Sequence, residues 1–149
     1  MIKILFVCLG NICRSPMAEF IMKELVEEKG MADKFYIESA ATSAEELGNP
    51  VYPPARRVLQ KRGIDCSGKY ARKITADDYE KFDYIICMDS NNLRYLQRFF
   101  PDDNGKKISK LMSWAGLADD VADPWYTGDF NATEKDVLLG CGKLLEQIL

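Results

Sequence analysis

Cys8 and Arg14 stand six residues apart in the segment Cys8-Leu9-Gly10-Asn11-Ile12-Cys13-Arg14-Ser15, and that pairing suits chemistry on an oxyanion. A thiolate is a nucleophile, and a guanidinium offers a fork of donors that matches two phosphate oxygens. The apolar run Ile4 to Val7 precedes the segment and reads as a buried parallel strand. Leu9 to Arg14 reads as a loop in which Gly10 lets the chain curl. Ser15-Pro16 reads as a helix start, with Ser15 as N-cap and Pro16 at the first helical position. A loop that leaves a strand and enters a helix points backbone N–H groups at one centre and favours an anion there. The same dipoles and Arg14 favour Cys8 as thiolate, and Ser15 is placed to donate a hydrogen bond to its sulfur.

The spacing alone is weak, because Cys66 and Arg72 share it. That second pair follows a helix end and no helix cap comes after it, so it reads as a loop cysteine and a surface arginine. For the first pair the plain alternative is a buried cysteine at a strand end with a surface arginine.

The chain contains no histidine. Ser-His and Cys-His nucleophile pairs are therefore excluded, and catalytic zinc, which usually takes an imidazole, is disfavoured. A thiolate that attacks phosphorus still needs an acid for the leaving oxygen, and here a carboxylic acid must serve. Asp123-Pro124-Trp125-Tyr126 is the best candidate: proline stiffens the turn, and the aromatics could flank an aryl substrate. Asp119, Asp120 and Asp129 compete and read as solvated. An ordinary Asp-Pro turn beside a core tryptophan is the alternative.

The elements that must position these residues alternate. Ala18, Ile21, Met22 and Leu25 share one face of the first helix, which ends at Gly30. Phe35 to Ala40 reads as a second strand and Ala41 to Pro54 as a long turn-rich segment. Ala55 to Arg62 reads as a helix stopped by Gly63, and Asp65 to Arg72 as loop. Thr75 caps a short helix, Tyr84 to Met88 is a third strand, and Ser90 caps a helix to about Phe100. Ile108 to Met112 is a shorter strand and Ser113 to Phe130 an acidic loop. Asn131 to Leu149 holds a last helix whose apolar face is Val137, Leu138, Cys141, Leu144, Leu145 and Ile148. Such alternation predicts an α/β single domain over 1–149, a parallel sheet with helices on both faces. Ligands then sit beyond the carboxyl ends of the strands, where the loops after Val7, Ala40 and Met88 gather.

Length and charge narrow the class. A chain of 149 residues, 47% of them hydrophobic, can bury one sizeable core. A net charge of −3 argues against a nucleic-acid partner. Five scattered cysteines make no disulfide framework. The opening Met1 to Cys8 is too short for a signal core, and no stretch reaches the length of a membrane span. A cytoplasmic location is expected, with free thiols.

Cys8 to Ser15, followed by Pro16-Met17-Ala18-Glu19, resembles the signature of the low-molecular-weight protein tyrosine phosphatases. Asp123-Pro124-Trp125-Tyr126 is similar to their acid loop. The likeness extends to Ser39-Ala40-Ala41-Thr42, Arg62-Gly63-Ile64, Met88-Asp89 and the last helix. The resemblance implies a four-stranded parallel sheet of order 2-1-3-4 and a two-step hydrolysis of phosphotyrosine in proteins, releasing inorganic phosphate. Cys8 would form a phosphocysteine, Arg14 would clamp the phosphate, and Asp123 would protonate the tyrosyl oxygen and then activate water. Leu9, Gly10, Asn11, Ile12, Cys13 and Ser15 would surround the phosphate, with Leu9, Trp125 and Tyr126 lining the aryl pocket. Asn11, Ser39 and Asp89 would hold the loop. Cys13 matches a second loop cysteine that can form a disulfide with Cys8 under peroxide. No cofactor or metal is implied, and a monomer is expected.

The chain departs from the family at two places. A histidine commonly follows Gly63-Ile64 and links to the aspartate matching Asp89; Lys69 or its neighbours stand there, leaving either a Lys69–Asp89 pair or no such support. A pocket-edge tryptophan is common after the second strand, where this chain has Ser43-Ala44-Glu45-Glu46-Leu47, with Glu45 as the replacement. Two activities on the same scaffold compete. Protein-arginine phosphatases tend to carry threonine where Ile12 stands, and thioredoxin-coupled arsenate reductases need further redox cysteines that Cys87 does not supply. A non-catalytic phosphate-binding module would need neither Cys8 nor Asp123.

Overall fold

The computed structural model describes residues 1–149. Four parallel strands form one sheet in the order β2-β1-β3-β4: β1 is Ile2–Cys8, β2 Phe35–Ala41, β3 Tyr84–Cys87 and β4 Ile108–Lys110. β1 is paired on both edges, with Cys8 opposite Ala41 and Val7 opposite Cys87. A strand in that position is buried on both faces, which is why its sequence is apolar without alternation. Ile4, Phe6 and Cys8 face one core with α1 (Arg14–Glu28), α2 (Pro53–Lys61) and α6 (Phe130–Ile148). Leu5 and Val7 face the other with α3 (Ala76–Lys81) and α4 (Ser90–Phe99), through Phe82, Ile85, Cys87 and Leu96.

From β1 the chain goes to β2 on one side, while β3 lies on the other. That reversal opens a crevice at the carboxyl end of β1, where open α/β sheets bind ligands. Cys8 is the last residue of β1 and lies there.

Several boundaries differ from the sequence expectations. Helix α1 begins at Arg14 and not at Pro16; Pro16 sits inside the first turn, where its missing N–H costs no intrahelical bond. Ser15 is not a cap, because its hydroxyl is turned toward Cys8. Helix α2 begins at Pro53, two residues early, and pre-set proline torsions account for it. Asp89, not Ser90, caps α4: its carboxylate accepts from the Asn92 N–H at 2.7 Å. Strand β4 stops at Lys110, and Leu111–Ala115 forms a 3-10 turn packed on α6. The acidic loop contains a one-turn helix, α5 (Pro124–Thr127). Leu138 is exposed, while Val137, Cys141, Leu144 and Leu145 form the buried face of α6. Thr75 flanks α3 as expected, with the Asp78 carboxylate accepting from its N–H at 2.8 Å.

Candidate active site

The loop from Cys8 to Ser15 turns on one residue in an unusual conformation. Asn11 has φ of 60°, the left-handed region, and is fully buried. Asparagine tolerates that region better than most residues, and four hydrogen bonds hold it there. Its N–H points at the Cys8 Sγ at 3.3 Å, its side-chain amide donates to the hydroxyls of Ser15 (2.8 Å) and Ser39 (2.9 Å), and its Oδ1 accepts from the Arg72 N–H (3.2 Å). Gly10 serves differently from expectation. It needs no positive φ; a Cβ there would meet Glu46 Cγ at 3.3 Å, so the missing side chain lets the Glu46 segment close over the loop.

Behind this loop runs a polar chain that the sequence did not announce. The Ser39 hydroxyl donates to Glu19 Oε1 at 2.6 Å, and Glu19 is buried. Its carboxylate pairs with Lys69 (3.3 Å) and Lys23 (2.7 Å), and the Lys69 ammonium also donates to the Ser39 carbonyl at 2.8 Å. Burial pushes the Lys69 pKa down, and the field of Glu19 only partly offsets this. Lys69 therefore pairs with Glu19 and not with Asp89. Arg72 is half-buried in ion pairs with Asp78 (3.0 Å) and Glu38 (3.5 Å), and Cys66 is buried in the main core, so that second Cys–Arg pair is structural.

Asp89 is taken by Arg14, at 2.8 Å. Arg14 is nearly fully buried, also donates to the Val121 carbonyl (3.3 Å), and reaches within 3.4 Å of Asp123 Oδ2. Burial disfavours its charge, but the neighbouring Cys8, Asp123 and Asp89 outweigh this and hold the guanidinium pKa above its ordinary value. A charge so buried is tolerable only with such partners.

Asp123 sits in front of the loop as the N-cap of α5, its Oδ1 accepting from the Trp125 N–H at 3.0 Å. The segment leading into Asp123 is tied down on both sides. The Val121 N–H donates to the Met88 carbonyl (2.9 Å), the Ala122 N–H to Asp136 (2.9 Å), and the Thr133 hydroxyl to the Ala122 carbonyl (2.8 Å). The rival carboxylates have other tasks: Asp120 pairs with Lys110 at 2.8 Å and Asp129 caps α6. Asp119 is exposed.

A pocket of about 340 Å³ brings Cys8, Leu9, Gly10, Asn11, Ile12, Cys13 and Arg14 together with Asp123, Trp125 and Tyr126. Ser15, Ser39 and Asp89 stand behind it, bonded to Cys8 or Asn11 in the case of the serines and to Arg14 in the case of Asp89. Glu45 lines the pocket, joined by Glu46. Trp125 is 61% and Tyr126 86% exposed, which makes them a rim and not a floor. Tyr52, unremarked in the sequence, supports Trp125 (ring centroids 5.3 Å apart) and donates its N–H to the Ile12 carbonyl (2.9 Å).

The two loop cysteines are not equivalent. Burial, with the fields of Cys8 and Asp123, pushes the Cys13 thiol up to about 12. Burial likewise pushes Cys87 up to about 12 and raises Cys66 and Cys141. Cys8 alone has the Ser15 hydroxyl at 2.9 Å and the Asn11 N–H directed at its sulfur. All five thiols are free. No group of three or more cysteine, aspartate or glutamate side chains is arranged to hold a metal ion.

The model of the family described as "Low molecular weight phosphotyrosine protein phosphatase" matches residues 3–149. The chain belongs to that family. It is similar to the low molecular weight protein-tyrosine-phosphatase YfkJ of Bacillus subtilis, at 40% identity over 99% of this chain and 96% of that one. The crystal structure of YfkJ superposes with a TM-score of 0.94, covering 99% of this chain and 94% of the other. That of the Streptococcus pyogenes phosphatase SP-PTP does so at 0.88, with 42% identity, 100% of this chain and 94% of the other. A Drosophila arginine phosphatase superposes at 0.90, with 32% identity, 99% of this chain and 98% of the other. This low molecular weight phosphatase is thus a cysteine-dependent enzyme on an α/β scaffold. None of its helices is long and apolar enough to cross a membrane.

Proposed function

We propose that the enzyme hydrolyses phosphotyrosine in protein substrates, with Cys8, Arg14 and Asp123 as its catalytic residues. The carrying observation is that these three side chains share one pocket whose outer wall is Trp125 and Tyr126. The phosphate oxygens occupy the cradle formed by the backbone from Leu9 to Arg14, with Arg14 as the fork. The Cys8 sulfur attacks phosphorus, the bond to the tyrosyl oxygen breaks, and Asp123 gives that oxygen its proton. Asp123 then takes a proton from water, which attacks the phosphocysteine and releases inorganic phosphate and the thiolate. Ser15 stabilises the sulfur anion as it departs.

The apolar Ile12, the exposed Leu9 and the two aromatics suit the flat apolar ring of tyrosine better than a charged guanidinium. The enzyme is taken as a cytoplasmic monomer; its five free thiols suit a reducing compartment.

The test is a competition between phosphotyrosine and phosphoarginine peptides, with a chelator present. The expected result is selective release of phosphate from the tyrosine peptide, abolished in Cys8→Ser. In Asp123→Ala kcat falls about 10²- to 10⁴-fold. Preferential turnover of phosphoarginine would overturn the substrate assignment, and undiminished turnover in Cys8→Ser would overturn the mechanism.

A further inference from the structure

A second groove, of about 490 Å³, runs beside the catalytic pocket and shares Ile12 and Glu46 with it. Its far wall is helix α2, which contributes Arg56, Arg57 and Gln60. In a chain of net charge −3, α2 carries no acidic residue at all: it reads Pro-Pro-Ala-Arg-Arg-Val-Leu-Gln-Lys. Ala55, Val58 and Leu59 are buried, which leaves both arginines on the exposed side.

Both guanidinium groups are exposed, and neither lies within ion-pair distance of a carboxylate. Asp65 feels the field of Arg56, but its carboxylate accepts from the Ser67 N–H at 2.9 Å. Pro53 and Pro54 have no N–H to offer, so the charged donors this wall presents are the two guanidinium groups, beside the Gln60 amide. Glu46 stands on the dividing wall with its carboxylate held by Asn49. Glu45 and Glu46 make the rim of the catalytic pocket acidic, and the charge reverses once the chain passes Ile12. The Tyr52 N–H to Ile12 carbonyl bond fixes the two grooves relative to each other.

We infer that this groove is a second binding site for the phosphoprotein substrate, in which Arg56 and Arg57 receive an acidic side chain flanking the phosphotyrosine. The inference rests on the phosphotyrosine reading above. A substrate anchored by its phosphate at Arg14 has its neighbouring residues directed past the wall of Asp123, Trp125 and Tyr126, over Ile12, or over the Glu45–Glu46 rim. The rim repels carboxylates, so an acidic neighbour enters by the arginine side, where a charge-assisted bidentate contact is available. Electrostatic complementarity of this kind sets specificity and association rate more than it adds raw affinity.

The experiment compares kcat/KM on two phosphotyrosine peptide sets, one with aspartate and glutamate on either side of the phosphotyrosine and one with alanine there. p-Nitrophenyl phosphate, which has no flanking residues, reports the catalytic pocket alone. The wild-type enzyme is expected to favour the acidic set roughly three- to tenfold at low salt, with the preference shrinking as salt rises. In Arg56→Ala/Arg57→Ala the ratio falls to about one, and in Arg56→Glu/Arg57→Glu it inverts. Equal use of both sets by the wild type, or an acidic preference that survives the double substitution, overturns the site. Failure of the wild type on p-nitrophenyl phosphate would instead strike the phosphatase reading on which it rests.

Discussion

The Ser15 hydroxyl lies 2.9 Å from the Cys8 sulfur while accepting a hydrogen bond from the Asn11 side-chain amide at 2.8 Å. Because Asn11 supplies a proton to the Ser15 oxygen, the Ser15 proton is left to point at the sulfur. A hydrogen bond to an anion is worth about 1.5–3 kcal/mol, so Ser15→Ala is expected to lower kcat roughly ten- to hundredfold. Single-turnover kinetics with p-nitrophenyl phosphate would check it, and Ser15→Thr should retain more activity than the alanine variant. A change of less than twofold would contradict the assignment.

Asp89 is the partner that lets Arg14 remain buried. Removing it leaves a guanidinium whose nearest carboxylate is Asp123, at 3.4 Å. Arg14 is then expected to turn toward Asp123 and withhold it from proton transfer. Asp89→Ala should lower kcat/KM on phosphotyrosine peptides by at least tenfold and weaken inhibition by inorganic phosphate. It should also destabilise the fold by about 3 kcal/mol, as expected when one half of a buried pair is lost. Asp89→Asn keeps the shape and should lose less stability; thermal unfolding alongside kinetics separates the two effects.

Gly140 is required by packing. A Cβ there would lie 2.5 Å from Leu111 Cγ, and Leu111 is fully buried between the sheet and α6. Alanine in a helix gains about 1 kcal/mol over glycine, but overpacking a fixed core costs about 1–3 kcal/mol. Gly140→Ala is therefore expected to destabilise the protein despite its better helix propensity, as read by urea unfolding. A stabilised variant would show that the 3-10 turn at Leu111–Ala115 yields easily.

Acid stability depends on Asp78 and Asp103. Burial pushes the Asp78 carboxyl up, but hydrogen bonds from Arg72 and the Thr75 N–H prevail and hold it below its ordinary value. Asp103 behaves alike: Tyr79 and the N–H groups of Lys107 and Ile108 prevail over burial. A carboxyl depressed in the folded state contributes its full stabilisation above its unfolded value, about 3.9, and loses it as pH falls through the folded one. Unfolding free energy should thus decline below about pH 4, and Asp78→Asn and Asp103→Asn should flatten that decline. Denaturant titrations at several pH values would check it; slopes parallel to wild type would contradict it.

The parts of the fold and site that depend on local pattern were legible in the sequence. The unbroken apolar run of β1, the cysteine–arginine loop after it and the Asp123-Pro124 turn can be read without tertiary knowledge. The Ser15–Cys8 hydrogen bond was legible too, although the cap assigned to the same hydroxyl was not formed. Residues whose role is set by distant partners were not legible. Glu19 resembles any polar helix residue, and only its contact with Ser39, twenty residues on, reveals a buried role. Lys69 stands where a family histidine was expected to reach Asp89, yet Arg14 already occupies Asp89 and Glu19 needs a counter-charge. Lys69 could have been found by asking which cation balances a glutamate inside the first turns of α1.

The account depends on covalent chemistry at one sulfur. Rapid acid quench of the wild-type enzyme during turnover of p-nitrophenyl phosphate, followed by peptide mass spectrometry, reads this directly. One phosphoryl group on the peptide containing Cys8, absent from Cys8→Ser, is the predicted result. Sustained turnover with phosphate carried by a different residue, or undiminished turnover in the serine variant, would contradict it.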